Sequence, residues 1–313
     1  MRNQKEFSTF LPKEICEVIK TLEVKEDDIQ EIRINTGQPL ILKVQGKELF
    51  PGGIERTTAE CREGFIVSEA MLKETFEFVC RHSVYAYEEE IRQGFITIEG
   101  GHRVGLAGQA VVEKEKVRNL KHISGLNIRL ASEVKGCAKK VMRNIANPQE
   151  IYNTLIVSPP CSGKTTLLRD CIRMFSNGFE GVKGVRVGVV DERGEIGACY
   201  HGIPQNDLGI RTDILDRMPK AEGILMLIRS MAPRVVAVDE IGSASDMEAL
   251  KNACLSGCNI IATIHGSSPY EIYEKTIFEN IKANNMFQRY IVLKPGKMGE
   301  VKGIYDENLK KIS

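Results

Sequence analysis

The chain has 313 residues, 42% hydrophobic and 27% charged, values that suit a soluble globular protein with room for two domains. Its 43 basic and 42 acidic residues leave a net charge of +1, so no global excess of charge points to nucleic acid. No apolar run approaches the roughly 18 residues a membrane span needs and no signal-peptide core opens the chain, so the expected location is the cytoplasm, with docking on a membrane protein left open.

In chain order, the first half reads as mixed α and β structure. A short amphipathic helix fits residues 14–22, and strand-like runs at 31–35 and 40–44 flank Thr36-Gly37-Gln38-Pro39, a turn composition. A second helix fits 68–81, where Met71, Phe76, Val79 and Cys80 recur near helical spacing. Runs at 95–99 and 102–106 flank Gly100-Gly101, a hairpin signal because both glycines can take positive φ. A basic helix over 134–146 is followed by Asn147-Pro148. These readings divide the chain into an N-terminal α+β domain over 1–133, a linker with the basic helix over 134–150, and a second domain over 151–313. In that domain β-branched runs at 154–157, 185–190, 235–238 and 259–264 alternate with helical stretches, which predicts a parallel sheet with crossover helices.

Nine scattered cysteines fit free, mostly buried thiols in a reducing compartment better than a disulfide framework. Cys254 and Cys258 stand four apart in a predicted helix, where a metal site is conceivable, but no further His or Cys cluster supplies ligands.

The segment Ser158-Pro159-Pro160-Cys161-Ser162-Gly163-Lys164-Thr165-Thr166 lies between the strand at 154–157 and a helix predicted over 165–175. That is the setting of a phosphate-binding Walker A loop, G-x-x-x-x-G-K-[ST], whose backbone N–H groups point at phosphate oxygens. Lys164 is placed to reach the β- and γ-phosphates of ATP, and Thr165 to put its hydroxyl on Mg²⁺. Ser158 stands where the first glycine belongs, so a cost in backbone dihedrals, and with it in ATP affinity, is expected there. Pro159 and Pro160 stiffen the same turn.

The run at 235–238 ends in Asp239-Glu240, the form of a Walker B strand. A buried strand that ends in acids presents them at the sheet's C-terminal edge, where the phosphate loop also lies. Asp239 is the candidate for the Mg²⁺ hydration shell, and Glu240 for the general base that deprotonates the attacking water. The run at 185–190 leads into Asp191-Glu192-Arg193-Gly194-Glu195, which adds Asp191 and Glu195 as acidic candidates, with Arg193 equally able to pair with them on the surface. The fourth strand ends Ala262-Thr263-Ile264-His265-Gly266, and His265 is a candidate reporter of the γ-phosphate.

Together, segments 158–166, 191–195, 235–240 and 263–266 resemble the Walker A loop, Asp box, Walker B strand and His box of the ATPases that drive type II and type IV secretion and pilus machines. Residues 227–234, with Arg229, are similar to the Arg-containing helix that leads into that family's Walker B strand, and 28–46 and 123–129 resemble parts of its N-terminal domain. The likeness spans most of the chain. It implies a RecA-like P-loop α/β core with a parallel central sheet, preceded by a smaller α+β domain. It also implies a homo-hexamer that binds ATP and Mg²⁺ between subunits, with Lys164, Glu240, Asp191, Glu195 and His265 catalytic. An arginine from a neighbouring subunit, Arg211, Arg217 or Arg129, would meet the transition-state charge. The tetracysteine metal insert of some members is absent here, so no zinc is expected. Three further stretches, 85–92, 100–108 and 189–195, resemble members of the family that serve endospore formation. That narrower likeness implies a motor on the cytosolic, mother-cell face of a stage III membrane channel complex joined to the forespore.

Two other classes stay open on the residues alone. A nucleic-acid-linked ATPase of RecA-like fold would use the basic helix, with Lys135, Lys139, Lys140 and Arg143, yet 6% aromatic content and no Trp supply few stacking platforms. A nucleotide-dependent scaffold with little hydrolysis would have no use for Glu240.

Overall fold

The computed structural model describes residues 7–22, 24–52, 64–273 and 286–313, and the chain divides into two units, Met1–Ser132 and Glu133–Ser313. In the first unit the elements are α1 (Lys13–Lys20), β1 (Ile29–Asn35), β2 (Ile41–Val44), β3 (Lys47–Leu49), α2 (Glu69–Val79), α3 (Glu88–Gln93), β4 (Phe95–Ile98), β5 (His102–Glu113) and β6 (Lys116–Arg129). The strands form an antiparallel sheet in the order β3-β2-β1-β6-β5-β4. The two-residue period of a strand sends Ile32 and Ile34, Leu42 and Val44, and Leu126 and Ile128 into one core. Ile15 and Ile19 of α1 and Leu72 and Val79 of α2 pack into the same core. Ser68 starts α2 as its N-cap, its Oγ accepting the Met71 N–H at 3.2 Å. Gly100 and Gly101 both take positive φ, 86° and 77°, as the turn between β4 and β5 requires.

The strand reading at 102–106 is too short, and 123–129 is the end of a longer strand. β5 and β6 run on together as a two-stranded ribbon as far as the Glu113–Lys116 pair. Gln109, Glu113 and Lys121 lie among these outer residues and break the apolar alternation that marks a half-buried strand.

The second unit contains α4 (Lys139–Ile145), β7 (Thr154–Ser158), α5 (Lys164–Asn177), β8 (Gly178–Phe179), β9 (Val182–Lys183), β10 (Val187–Asp191), β11 (Thr212–Asp216) and α6 (Lys220–Ser230). It continues with β12 (Val235–Val238), α7 (Ala244–Leu255), β13 (Asn259–His265), α8 (Pro269–Tyr273), β14 (Arg289–Leu293) and β15 (Val301–Tyr305). Among the described residues the main sheet has seven strands in the order β11-β10-β12-β13-β7-β14-β15. All its pairings are parallel except β14 with β15, while β8 and β9 form a small separate hairpin. β7, β10 and β12 are buried along their whole length, which is why they read as unbroken apolar runs. Successive residues feed two cores. Ile156 packs with Leu168 and Ile172 of α5, whereas Leu155 and Val157 pack with Leu227 of α6 and Leu250 of α7.

The basic helix is shorter than the expected 134–146. Gly136, at φ 83°, breaks the backbone before it, and the helix starts only at Lys139. Val141, Met142 and Ile145 are buried in the same core as α5, so this segment joins the second unit. Cys254 and Cys258 do not share a helix, because α7 stops at Leu255 and Gly257 turns the chain at φ 82°. Among the described residues no helix is long and apolar enough to cross a membrane.

Candidate active site

Parallel pairing aligns the C-terminal ends of β10, β12, β13 and β7 along one sheet edge. Ser158 stands opposite His265, and Val238 opposite Ala262. Residues far apart in sequence thereby become neighbours, at the edge where open α/β sheets bind ligands.

Ser158 is the last residue of β7 and fully buried, and its hydroxyl donates to the Pro159 carbonyl at 2.7 Å. The loop's left-handed positions are Cys161, at φ 58°, and Gly163, at φ 86°. Ser158 is not among the residues with positive φ, so the backbone cost expected there does not arise. It falls on Cys161 instead. Gly163 is required twice over, since a Cβ there would also come within 2.8 Å of the Gly299 nitrogen. The Gly299 N–H donates to the Ser162 carbonyl at 2.9 Å, so the loop between β14 and β15 braces the turn between β7 and α5. The first-turn N–H groups of α5, from Lys164 to Thr166, have no carbonyl within the helix to receive them and lie at its positive end.

Opposite this turn stand the acids at the end of β12. The Thr165 hydroxyl donates to Asp239 Oδ2 at 2.6 Å, and the Thr263 hydroxyl donates to Asp239 Oδ1. Lys164 Nζ pairs with Glu240 Oε1, Arg193 Nη1 with Glu240 Oε2, and His265 Nε2 lies 3.0 Å from Oε1. The Lys164 and Glu240 side chains are only 10% and 13% exposed, so solvent screens their pairing weakly. Burial pushes the Glu240 carboxyl up, but Lys164, Arg193 and His265 outweigh it and hold the group below the usual glutamate range.

Asp191 turns elsewhere. It is buried, and its two oxygens accept N–H groups of its own loop, from Glu195 at 2.9 Å, Ile196 at 2.9 Å and Gly197 at 2.8 Å. Burial is the larger influence and pushes its carboxyl up to about 6 in spite of these bonds. Arg169 of α5 ties the same loop down by donating to the Glu195 and Ile196 carbonyls at 2.8 and 2.9 Å. The Glu195 backbone takes part in this bracing through both its N–H and its carbonyl. Arg193 of the same loop reaches the site at Glu240. Arg211 is bound to Ser176 near the C-terminal end of α5, away from Lys164, and Arg217 lies 3.9 Å from Asp216. Arg129 belongs to β6 in the first unit.

Thr263 and Arg169 are site residues that sequence reasoning passes over as individuals, while Arg193, expected to pair with the acids of its own loop at the surface, instead pairs with Glu240. For Thr263 a signal exists: along β13 the two-residue period puts it on the same face as His265, while Ala262 and Ile264 join the core under α7. As a set, these groups fit a nucleoside triphosphate with a hard divalent cation. The first-turn N–H groups and the Lys164 ammonium suit phosphate oxygens, and the Thr165 hydroxyl with the Asp239 carboxylate offers the oxygen ligands that Mg²⁺ takes.

The family described as "Sporulation stage III, protein AA" matches the chain over residues 1–312. Over 282 residues the chain is 39% identical to the stage III sporulation protein AA of Bacillus subtilis (strain 168), covering 90% of this chain and 88% of that protein. A shorter match, 28% identical over 153 residues, is to the protein SEEDLING PLASTID DEVELOPMENT 1 of Arabidopsis thaliana, with 48% of this chain and 21% of that protein covered. Among solved structures the chain resembles the ATPase DotB of Legionella pneumophila, with a TM-score of 0.57 at 16% identity over 90% of this chain and 76% of that one. It likewise resembles the pilus retraction motor PilT bound to ADP, with a TM-score of 0.58 at 15% identity over 90% and 76%. At these identities the likeness is one of fold, and the fold is the RecA-like α/β core with a smaller α+β region before it.

Proposed function

The chain belongs to the sporulation stage III protein AA family, and we propose that it is an ATP-hydrolysing motor of a membrane channel complex between mother cell and forespore. The observation that carries this reading is the meeting of Lys164, Thr165, Asp239, Glu240 and His265 at one sheet edge, each hydrogen-bonded or ion-paired to another of the set. In this reading Lys164 and the first-turn N–H groups of α5 bind the β- and γ-phosphates. Thr165 and Asp239 would hold Mg²⁺, which when bound would supply positive charge beside the phosphates.

Glu240 takes the proton of the attacking water, a role open to a carboxylate that is ionised at neutral pH. Lys164 now occupies Oε1, the oxygen that His265 also approaches, so Lys164 must exchange Glu240 for phosphate before that oxygen serves as base. The working form in this proposal is a cytoplasmic homo-hexamer docked on the membrane complex, with the first unit as its smaller N-terminal domain. The nucleic-acid reading is disfavoured because Lys135 is paired with Asp207 at 2.5 Å and Arg143 with Glu180 at 2.5 Å, two of the four cations it needs.

The test is phosphate release from ATP by the purified full chain, with and without Mg²⁺, beside its mass in solution under the same conditions. Mg²⁺-dependent turnover with a rise in mass on adding ATP is the expected result. Absence of both nucleotide binding and turnover overturns the proposal, while binding without turnover supports the scaffold reading in its place.

A further inference from the structure

Thr263 is fully buried on β13, on the sheet face where Ile261 packs in the core beneath α5. Its hydroxyl has two partners. It donates its proton to Asp239 Oδ1 and accepts the Glu240 N–H at 2.9 Å. A hydroxyl has one proton, and the carboxylate can only accept it, so a lone pair is left for the peptide N–H. The Thr263 carbonyl in turn accepts the Ile241 N–H at 2.9 Å. One residue therefore holds three consecutive positions of the neighbouring chain. The middle one, Glu240, has φ 52°, a left-handed conformation that costs a residue with a side chain about 1–2 kcal/mol. β12 has ended at Val238, so the regular ladder does not impose this bend.

We infer that Thr263 is a positioning residue for hydrolysis, its hydroxyl setting the left-handed turn at Glu240 and so aiming that carboxylate at the reacting water. The inference rests on Glu240 being the base, as proposed above. Thr263 acts through the Glu240 backbone and through Asp239, from within the sheet. Asp239 Oδ2 faces Thr165, while Oδ1 takes the Thr263 hydroxyl and, at 3.1 Å, the Glu240 N–H.

Thr263→Val preserves shape and removes the hydroxyl, whereas Thr263→Ser preserves the hydroxyl and removes the methyl. In steady-state ATP hydrolysis Thr263→Val should lower kcat about 10- to 100-fold, the scale of a misplaced catalytic group, with ADP affinity changed less than about threefold. Thr263→Ser should stay within about threefold of the parent in both measurements. In a Glu240→Gln background Thr263→Val should add no further loss, because the two residues act as one unit. Where the valine variant does not fold, as judged by circular dichroism, Thr263→Ala compared with Thr263→Ser reads the same quantity. Parent-like turnover in Thr263→Val, a serine variant as slow as the valine one, or losses that multiply with Glu240→Gln would each overturn the inference alone. A parent chain without turnover overturns it together with the function on which it rests.

Discussion

Strands β10 and β12 lie side by side in the same direction, in register from Val187 opposite Val235 to Val190 opposite Val238. Each is a buried apolar run that leads into Asp-Glu, as Asp191-Glu192 in one and Asp239-Glu240 in the other. Their carboxylates meet different partners. Asp191 accepts three N–H groups from its own loop, whereas Asp239 takes the hydroxyls of Thr165 and Thr263 from two other elements. The difference lies in the path of the chain beyond each acid. After Asp191 it bends at Gly194, φ 65°, and folds its N–H groups back over the carboxylate. After Glu240 it enters α7 through a capping box of Ser243 and Asp246, which satisfies that helix's own first N–H groups and leaves Asp239 and Glu240 to others. The loop behind Asp191 turns three N–H groups onto its acid, whereas the loop behind Asp239 turns one, from Glu240 at 3.1 Å, and the hydroxyls of Thr165 and Thr263 supply its other partners.

The comparison can be broken at its functional side first. Lys164→Ala should abolish ATP turnover and nucleotide binding, read by phosphate release and by titration with a fluorescent nucleotide. Glu240→Gln should keep nucleotide bound while slowing hydrolysis about 10²- to 10⁴-fold, the span for losing a general base. Unchanged turnover there removes Glu240 from the catalytic role. On the other strand, Asp191→Ala should act on stability, lowering it by about 1–3 kcal/mol in denaturant melts because buried N–H groups lose their acceptor. Turnover per folded molecule should fall far less than in Glu240→Gln. A loss as deep as that of Glu240→Gln in well-folded Asp191→Ala would erase the contrast between the strands.

Acidity sharpens the same contrast, because the two groups are shifted in opposite directions. Asp191 is raised to about 6 in the folded chain, so between about pH 4 and 6 the folded state binds its proton more tightly than the unfolded one. Its contribution to stability is therefore greatest on the acid side and falls as pH rises through that window. The stability difference between parent and Asp191→Ala should shrink from pH 4 to pH 6 and then level off. Glu240 is held below its ordinary value, so its contribution is present above that value and is lost as pH falls through the depressed one. The difference between parent and Glu240→Gln should thus change with the opposite sign. The smallest effect is expected for Arg193→Gln. Its side chain is 62% exposed where it meets Glu240, so stability should move by less than about 0.5 kcal/mol in the same melts.

Much of this arrangement is legible in the linear chain, and the reason is local. Residues 158–166 are one continuous segment, so its glycine, lysine and threonine stand at fixed spacing between one strand and one helix. The strands of the second unit are buried on both faces, so their apolar runs stand out, and Ser68 and Gly100-Gly101 mark a helix start and a turn by their own side-chain and backbone chemistry. The outer halves of β5 and β6 escape notice because their pairing is with each other and little of it is buried. Asp191 and Asp239 look alike in sequence because their difference lies in which donors arrive from elsewhere.

By itself, then, the sequence determined the strand-loop-helix setting of residues 158–166, the parallel strands that carry acids and His265, and the order of α+β region before α/β core. The tertiary structure alone decided that Ser158 stays in extended strand while Cys161 takes the left-handed turn, that Asp191 serves its loop, and that Arg193 reaches Glu240. It alone joined Thr263 to Asp239, across the 24 residues that separate them in the chain. The physical reason is that backbone preference and burial pattern are written residue by residue. The partner of a carboxylate is set instead by which strands lie side by side, and crossover connections bring those strands together from distant parts of the chain.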